Sequence, residues 1–170
     1  MGGAQKETLN ALNGEIENLR VAWRWAVENA DTVLLQRFCR GMAIYFEIQG
    51  LYEEAAGSFE VSIAALHREK ADASLLCAQL LIQQGRFARL RSHYEPAKAA
   101  LTHALTLIES QKLDTEVEGK AQVAEALHNL GLLAHYLGDN RLAPQQLEKG
   151  IALCRTLNRP WLLAEGLGFL

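Results

Sequence analysis

Five histidines carry the widest chemical repertoire in this chain: His67, His93, His103, His128 and His135. Each could move a proton near neutral pH or hold a metal. His128 and His135 stand seven residues apart, roughly on one face of a helix. Metal binding on a helix favours pairs at i and i+4 with a supplementary carboxylate. Neither that spacing nor an HExxH run occurs, and there is no GxSxG elbow or GxxxxGK[ST] phosphate loop. Cys39, Cys77 and Cys154 lie far apart without a CxxC pair, which points to reduced thiols packed as small apolar groups. These spacings assign no catalytic residue, no metal ligand and no cofactor. A metal-dependent enzyme using the histidines is kept only as an alternative. The arginines of "GRFARLRSH" offer different chemistry, because a guanidinium forks onto a carboxylate through charge-assisted bonds. Whether they act together depends on the elements that carry them.

Those elements are helices. Apolar residues recur at three- and four-residue steps, as in Leu9, Leu12, Ile16, Leu19, Trp23 and Ala26, and again in Leu127, Leu130, Ala134 and Leu137. No segment alternates convincingly with period two. Gly50 and Gly138 follow apolar runs where a left-handed residue would end a helix. Asp31 and Asn158 can cap helix starts, and Ser92 with Glu95 and Thr115 with Glu118 fit the capping box. The expected helical segments are 6–29, 32–49, 52–69, 71–91, 93–111, 115–137, 140–156 and 159–170. Their short connections imply antiparallel neighbours.

A skeleton of small residues recurs along these segments. Gly131, Gly138, Ala143, Leu147 and Gly150 are separated by the same intervals as Ala43, Gly50, Ala55, Phe59 and Ser62, and as Gly85, Ser92, Ala97, Leu101 and Ala104. Small side chains at a crossing let two helix axes approach to about 8–10 Å. Repetition at intervals of 42 and 46 residues is the mark of stacked helical hairpins.

On these residues the chain resembles the tetratricopeptide repeat family. "LHNLGLLAHYLGDNRLAPQQLEKGI", "CRGMAIYFEIQGLYEEAAGSFEVSI" and "LLIQQGRFARLRSHYEPAKAALTHAL" follow its order of large and small residues, with Tyr52, Phe59 and Tyr94 in aromatic positions. The intervals exceed the family's usual 34, so helices or turns are longer. The resemblance implies an all-α, right-handed superhelix of antiparallel hairpins with about eight helices. An N-terminal helix within residues 1–35 would pack on it or cap it. Residues 36–170 would hold about three repeats and the first helix of a fourth, with Trp161, Ala164, Leu167 and Gly168 as its apolar and small positions. "EIENLRVAWRWAVENAD" resembles the helix preceding the repeats in large bacterial signal-transduction ATPases, often transcriptional regulators. It implies a cytoplasmic setting and a piece of a longer protein.

The family resemblance also implies that the first helix of each hairpin lines a concave groove. Candidate ligand-binding residues there are Arg37 and Arg40, then Gln83, Arg86 and Arg89, then His128, Asn129 and His135, with Ile44, Glu47, Glu125 and Leu132 beside them. Arginines gathered on one wall would clamp an acidic peptide. The same residues could instead be a solvated face. Partners are then a protein or peptide, or another domain of the parent chain. Self-assembly through an exposed C-terminal helix, with Trp161, Leu167 and Phe169, is the alternative. The chain has 170 residues, 49% of them hydrophobic, enough for a real core. Its net charge of −3 gives no general pull toward nucleic acid. No apolar run is long enough for a membrane span, and the start lacks a signal peptide's apolar region.

Overall fold

A computed structural model of the chain describes residues 18–69 and 73–157. Seven α-helices are present among them and no strand. Helix α1 covers residues 18–28, followed by α2 (Thr32–Gln49), α3 (Tyr52–Arg68), α4 (Ser74–Leu90), α5 (Tyr94–Ser110), a 3₁₀ turn (Leu113–Thr115), α6 (Val117–Tyr136) and α7 (Leu142–Thr156). The expected segments 6–29 and 71–91 fall partly, and 159–170 wholly, outside the described residues. So do Asn158, Trp161, Ala164, Leu167, Gly168 and Phe169.

The helices pack in adjacent pairs, as the recurring skeleton predicts for an all-α helical repeat. Ala43, Ala55, Gly85, Ala97, Gly131 and Ala143 are all buried, and Phe59, Leu101 and Leu147 fill the space a turn further along. Backbones of α4 and α5, and of α6 and α7, run in close contact. Helices α2 and α3 stand further apart, because Ala43 and Phe59 occupy the places that glycine and leucine hold in the other hairpins. Phe59 also centres an aromatic cluster. Its ring stacks on Phe87 at 5.7 Å and meets the edges of Trp23 and Phe46 at 5.9 and 6.2 Å.

Each hairpin turns by the same device. Gly50, Ser92 and Gly138 have φ of +69°, +60° and +76°. The N–H of each donates to a carbonyl three residues back, at Glu47, Arg89 and His135. The next N–H reaches back five residues, from Leu51 to Phe46, His93 to Ala88 and Asp139 to Ala134. These paired bonds satisfy the last carbonyls of the helix.

Two capping assignments are corrected. Ser92 belongs to the left-handed turn that ends α4, so it does not cap α5, whose cap residue His93 makes no side-chain cap bond. Thr115 lies in the 3₁₀ turn and its hydroxyl donates to the Lys112 carbonyl, leaving α6 to begin at Val117 after Glu116. Asp31 caps α2 as expected, accepting from the Val33 and Leu34 N–H groups at 3.1 and 3.0 Å. An unexpected cap is Asp139, which accepts from Arg141 and Leu142 at the start of α7. The longer interval before the third hairpin comes from the 3₁₀ turn and an earlier start of α6.

Helix α1 repeats the burial of a second helix. Its buried Trp23, Ala26 and Val27 have the spacing of buried Phe59, Ser62 and Ile63 in α3. Two of the surface hollows share this register. One of about 320 Å³ opens between α1, α2 and α3 and is lined by Arg20, Arg24, Met42 and Phe46. Another, of about 390 Å³ between α3, α4 and α5, is lined by the equivalent Ala56, Glu60, Gln84 and Ala88. The hollows are thus copies of one groove made by the stacking.

Candidate interaction surface on the first helices

Helices α2, α4 and α6 are the first helices of the three hairpins, and their polar side chains reach sideways to one another. Arg86 of α4 forms an ion pair with Glu47 of α2. Gln83 of α4 donates to the Glu125 carboxylate of α6 at 2.8 Å. Arg89 of α4 donates to the Asn129 side-chain oxygen at 3.3 Å. Asn129 in turn donates to the Glu125 carbonyl one turn back at 3.0 Å. The Arg89 guanidinium lies over the Tyr136 ring at 5.9 Å, and the His135 ring meets the same tyrosine at 6.0 Å.

Burial explains why these ties matter. Arg89 is 7% exposed, and Gln83, His128 and Asn129 are also buried. Polar groups withdrawn from water cost free energy unless hydrogen-bonded, and a charge costs more. Arg86 keeps 12% of its side-chain surface and Glu47 35%, so this pair is only partly screened by water. The residues expected in a groove therefore divide into two kinds. Gln83, Arg86, Arg89 and Asn129 connect neighbouring first helices, with His128 buried beside Asn129 in sequence. Arg37 and Arg40 are exposed on α2, and His135 is exposed near the end of α6.

Tyr136 was not singled out from sequence, although it is exposed and supports both Arg89 and His135. Buried Gln122 was missed too.

No group of three or more His, Cys, Asp or Glu side chains is placed to hold a metal among the described residues. Cys39, Cys77 and Cys154 are buried free thiols. Burial pushes all three pKa values up, and the nearby Glu125 carboxylate adds to the effect at Cys39 and Cys154. A thiol kept protonated is a poor nucleophile. No described helix is long and apolar enough to cross a membrane.

Comparison of the chain with protein-family models, with curated proteins and with solved structures returns no match in any of the three.

Proposed function

We propose that this chain is a protein-interaction module built from stacked helical hairpins, which recognises a protein or peptide segment through the layer of first helices. The supporting observation is the lateral network from Glu47 through Arg86, and from Gln83 and Arg89 to Glu125 and Asn129. It ties the three first helices side by side, so the layer they form is held in one arrangement. A pre-organised surface limits the ordering cost of binding. The module has no catalytic role in this reading. Its resemblance to the tetratricopeptide repeat family and to bacterial signal-transduction ATPases supports a place in a larger cytosolic regulator. There its partner would be a separate protein or another domain of the parent chain.

Selection from a random peptide library on the immobilised chain tests this reading. The expected result is a set of related peptides whose binding is saturable in solution and lost on thermal unfolding. A selection that returns only sequences binding equally well to an unrelated helical protein contradicts it.

A further inference from the structure

The hollow between α1, α2 and α3 keeps the position of its copy between α3, α4 and α5 but not its lining. Four matched places differ in kind. Arg24 stands where the second hollow has Glu60, Met42 where it has Gln84, Phe46 where it has Ala88, and Val61 where it has His103. Stacking makes the groove in both units, so stacking alone does not call for these residues. Two donors in the first hollow also lack acceptors. Among the charged side chains of its lining, Arg20 and Glu54 hold each other at 3.0 Å and Glu53 is paired with Arg91. Arg24 is exposed and makes no ion pair with any described residue. The Trp23 ring is part of the wall, 5% exposed, and its indole N–H has no hydrogen-bond partner. A buried donor without an acceptor is costly. The matching places on α3, α5 and α7 hold Phe59, Leu101 and Leu147, which carry no such donor, so packing does not require one here.

We infer that this hollow binds a small amphipathic carboxylate, a molecule with one anionic head and an apolar body. The head pairs with the Arg24 guanidinium, next in sequence to the unsatisfied Trp23 N–H, and the body lies on Val27, Met42, Phe46 and Val61. A few polar groups beside an apolar bed are the usual make-up of a small-molecule site. The volume of about 320 Å³ falls at the small end of such sites, which run from about 300 to 1,000 Å³. Gly57 keeps the α3 wall low, since a β-carbon there would meet nothing within 4 Å. The position also stays open as units stack. The second hollow takes no residue from α2, the first helix standing before α3. A helix in the matching place before α1 therefore leaves the first hollow clear. None of the laterally tied side chains lines it, so the inference goes beyond the interaction-module reading and does not rest on it.

The test is isothermal titration calorimetry of the full chain with octanoate and with octylammonium, which share an alkyl chain and differ in head charge. Octanoate should bind saturably at one site, with octylammonium weaker by about tenfold or more. Arg24→Glu installs the residue of the second hollow and should weaken octanoate by about tenfold or more while strengthening octylammonium. Val61→Asp should weaken octanoate by a similar factor. Both side chains are exposed, so the melting temperature should stay unchanged in both variants. Trp23→Phe supplies the ring that α3 carries at the matching place and removes only the N–H end, so the chain should still fold. It should weaken octanoate by about threefold. Equal binding of the two ligands by the natural chain overturns the proposal. So does octanoate binding that any one of the three substitutions leaves unmoved. Absence of octanoate binding overturns it outright, whatever part of the chain then fills the hollow. These outcomes leave the peptide selection untouched, and a failed selection leaves this site standing.

Discussion

Gly85 of α4 lies so close under Leu101 of α5 that a β-carbon on the glycine would stand 2.6 Å from Leu101 Cγ and 3.1 Å from the Ala97 carbonyl oxygen. The next hairpin repeats the contact, where a β-carbon on Gly131 would stand 2.7 Å from Leu147 Cγ. Gly85→Ala and Gly131→Ala should therefore destabilise the fold. Overpacking costs about 1–3 kcal/mol, only partly offset by the roughly 1 kcal/mol of helix propensity that alanine adds. Gly41 and Gly57 sit in helices with open space around them. Alanine there should stabilise by about 0.5–1 kcal/mol. Urea denaturation of the four variants checks this, and the same sign for all four would contradict the assigned crossings.

Ser92 holds the left-handed turn position that glycine holds at Gly50 and Gly138. A side chain there costs roughly 1 kcal/mol relative to glycine. Ser92→Gly should raise stability by about that amount, and Gly50→Ala or Gly138→Ala should lower it similarly. Thermal melts are sufficient to read the signs. A loss of stability in Ser92→Gly would show that its hydroxyl matters more than its backbone.

The lateral ties should differ in strength according to burial. A double-mutant cycle on Glu47 and Arg86, each changed to alanine, should give a coupling of about 0.5–1.5 kcal/mol that shrinks as salt is added. Arg89→Ala should cost more, about 2–4 kcal/mol, because it also removes packing and takes the donor from the Asn129 side-chain oxygen. Equal effects at the two arginines would mean that their different exposure has no energetic consequence.

Thiol protonation predicts the direction of an alkaline effect. The unfolded chain begins to lose thiol protons near pH 8.5, whereas the folded chain holds them because burial raises all three pKa values. Rising pH therefore draws the equilibrium toward the unfolded state. The contribution is fully present below about pH 8.5 and declines above it. Melting temperature should fall over this alkaline range, and a thiol reagent should label the native protein slowly and the denatured protein fast. Rapid labelling of native protein at neutral pH would contradict the buried placement.

Residue type alone made the hairpin skeleton readable, because close helix crossings demand small residues and stacked hairpins repeat them at fixed intervals. The same logic found the turns at Gly50 and Gly138. Ser92 misled it, since serine also favours helix caps and only the register with those two glycines reveals its left-handed backbone. The place of α1 as a second helix was hidden because Leu19 and Trp23 hold the registers of Ala55 and Phe59. On the surface, Arg86 and Arg89 were visible as candidates, but their partners were not. Glu47 lies 39 residues before Arg86, and Asn129 lies 40 residues after Arg89. Such pairings depend on how one hairpin stacks on the next, which local spacing does not encode.

The repeated register is tested most directly by a double-mutant cycle on Gly85 and Leu101, read by urea denaturation. Leu101→Ala alone should destabilise by about 2–5 kcal/mol through the cavity it leaves. In Gly85→Ala with Leu101→Ala, the new methyl group enters space that the leucine has vacated. The combined loss should then fall short of the sum of the single losses by about 1 kcal/mol or more, and the cycle on Gly131 and Leu147 should give the same sign. Losses that add to within about 0.5 kcal/mol in both hairpins would contradict the shared crossing that defines the repeat.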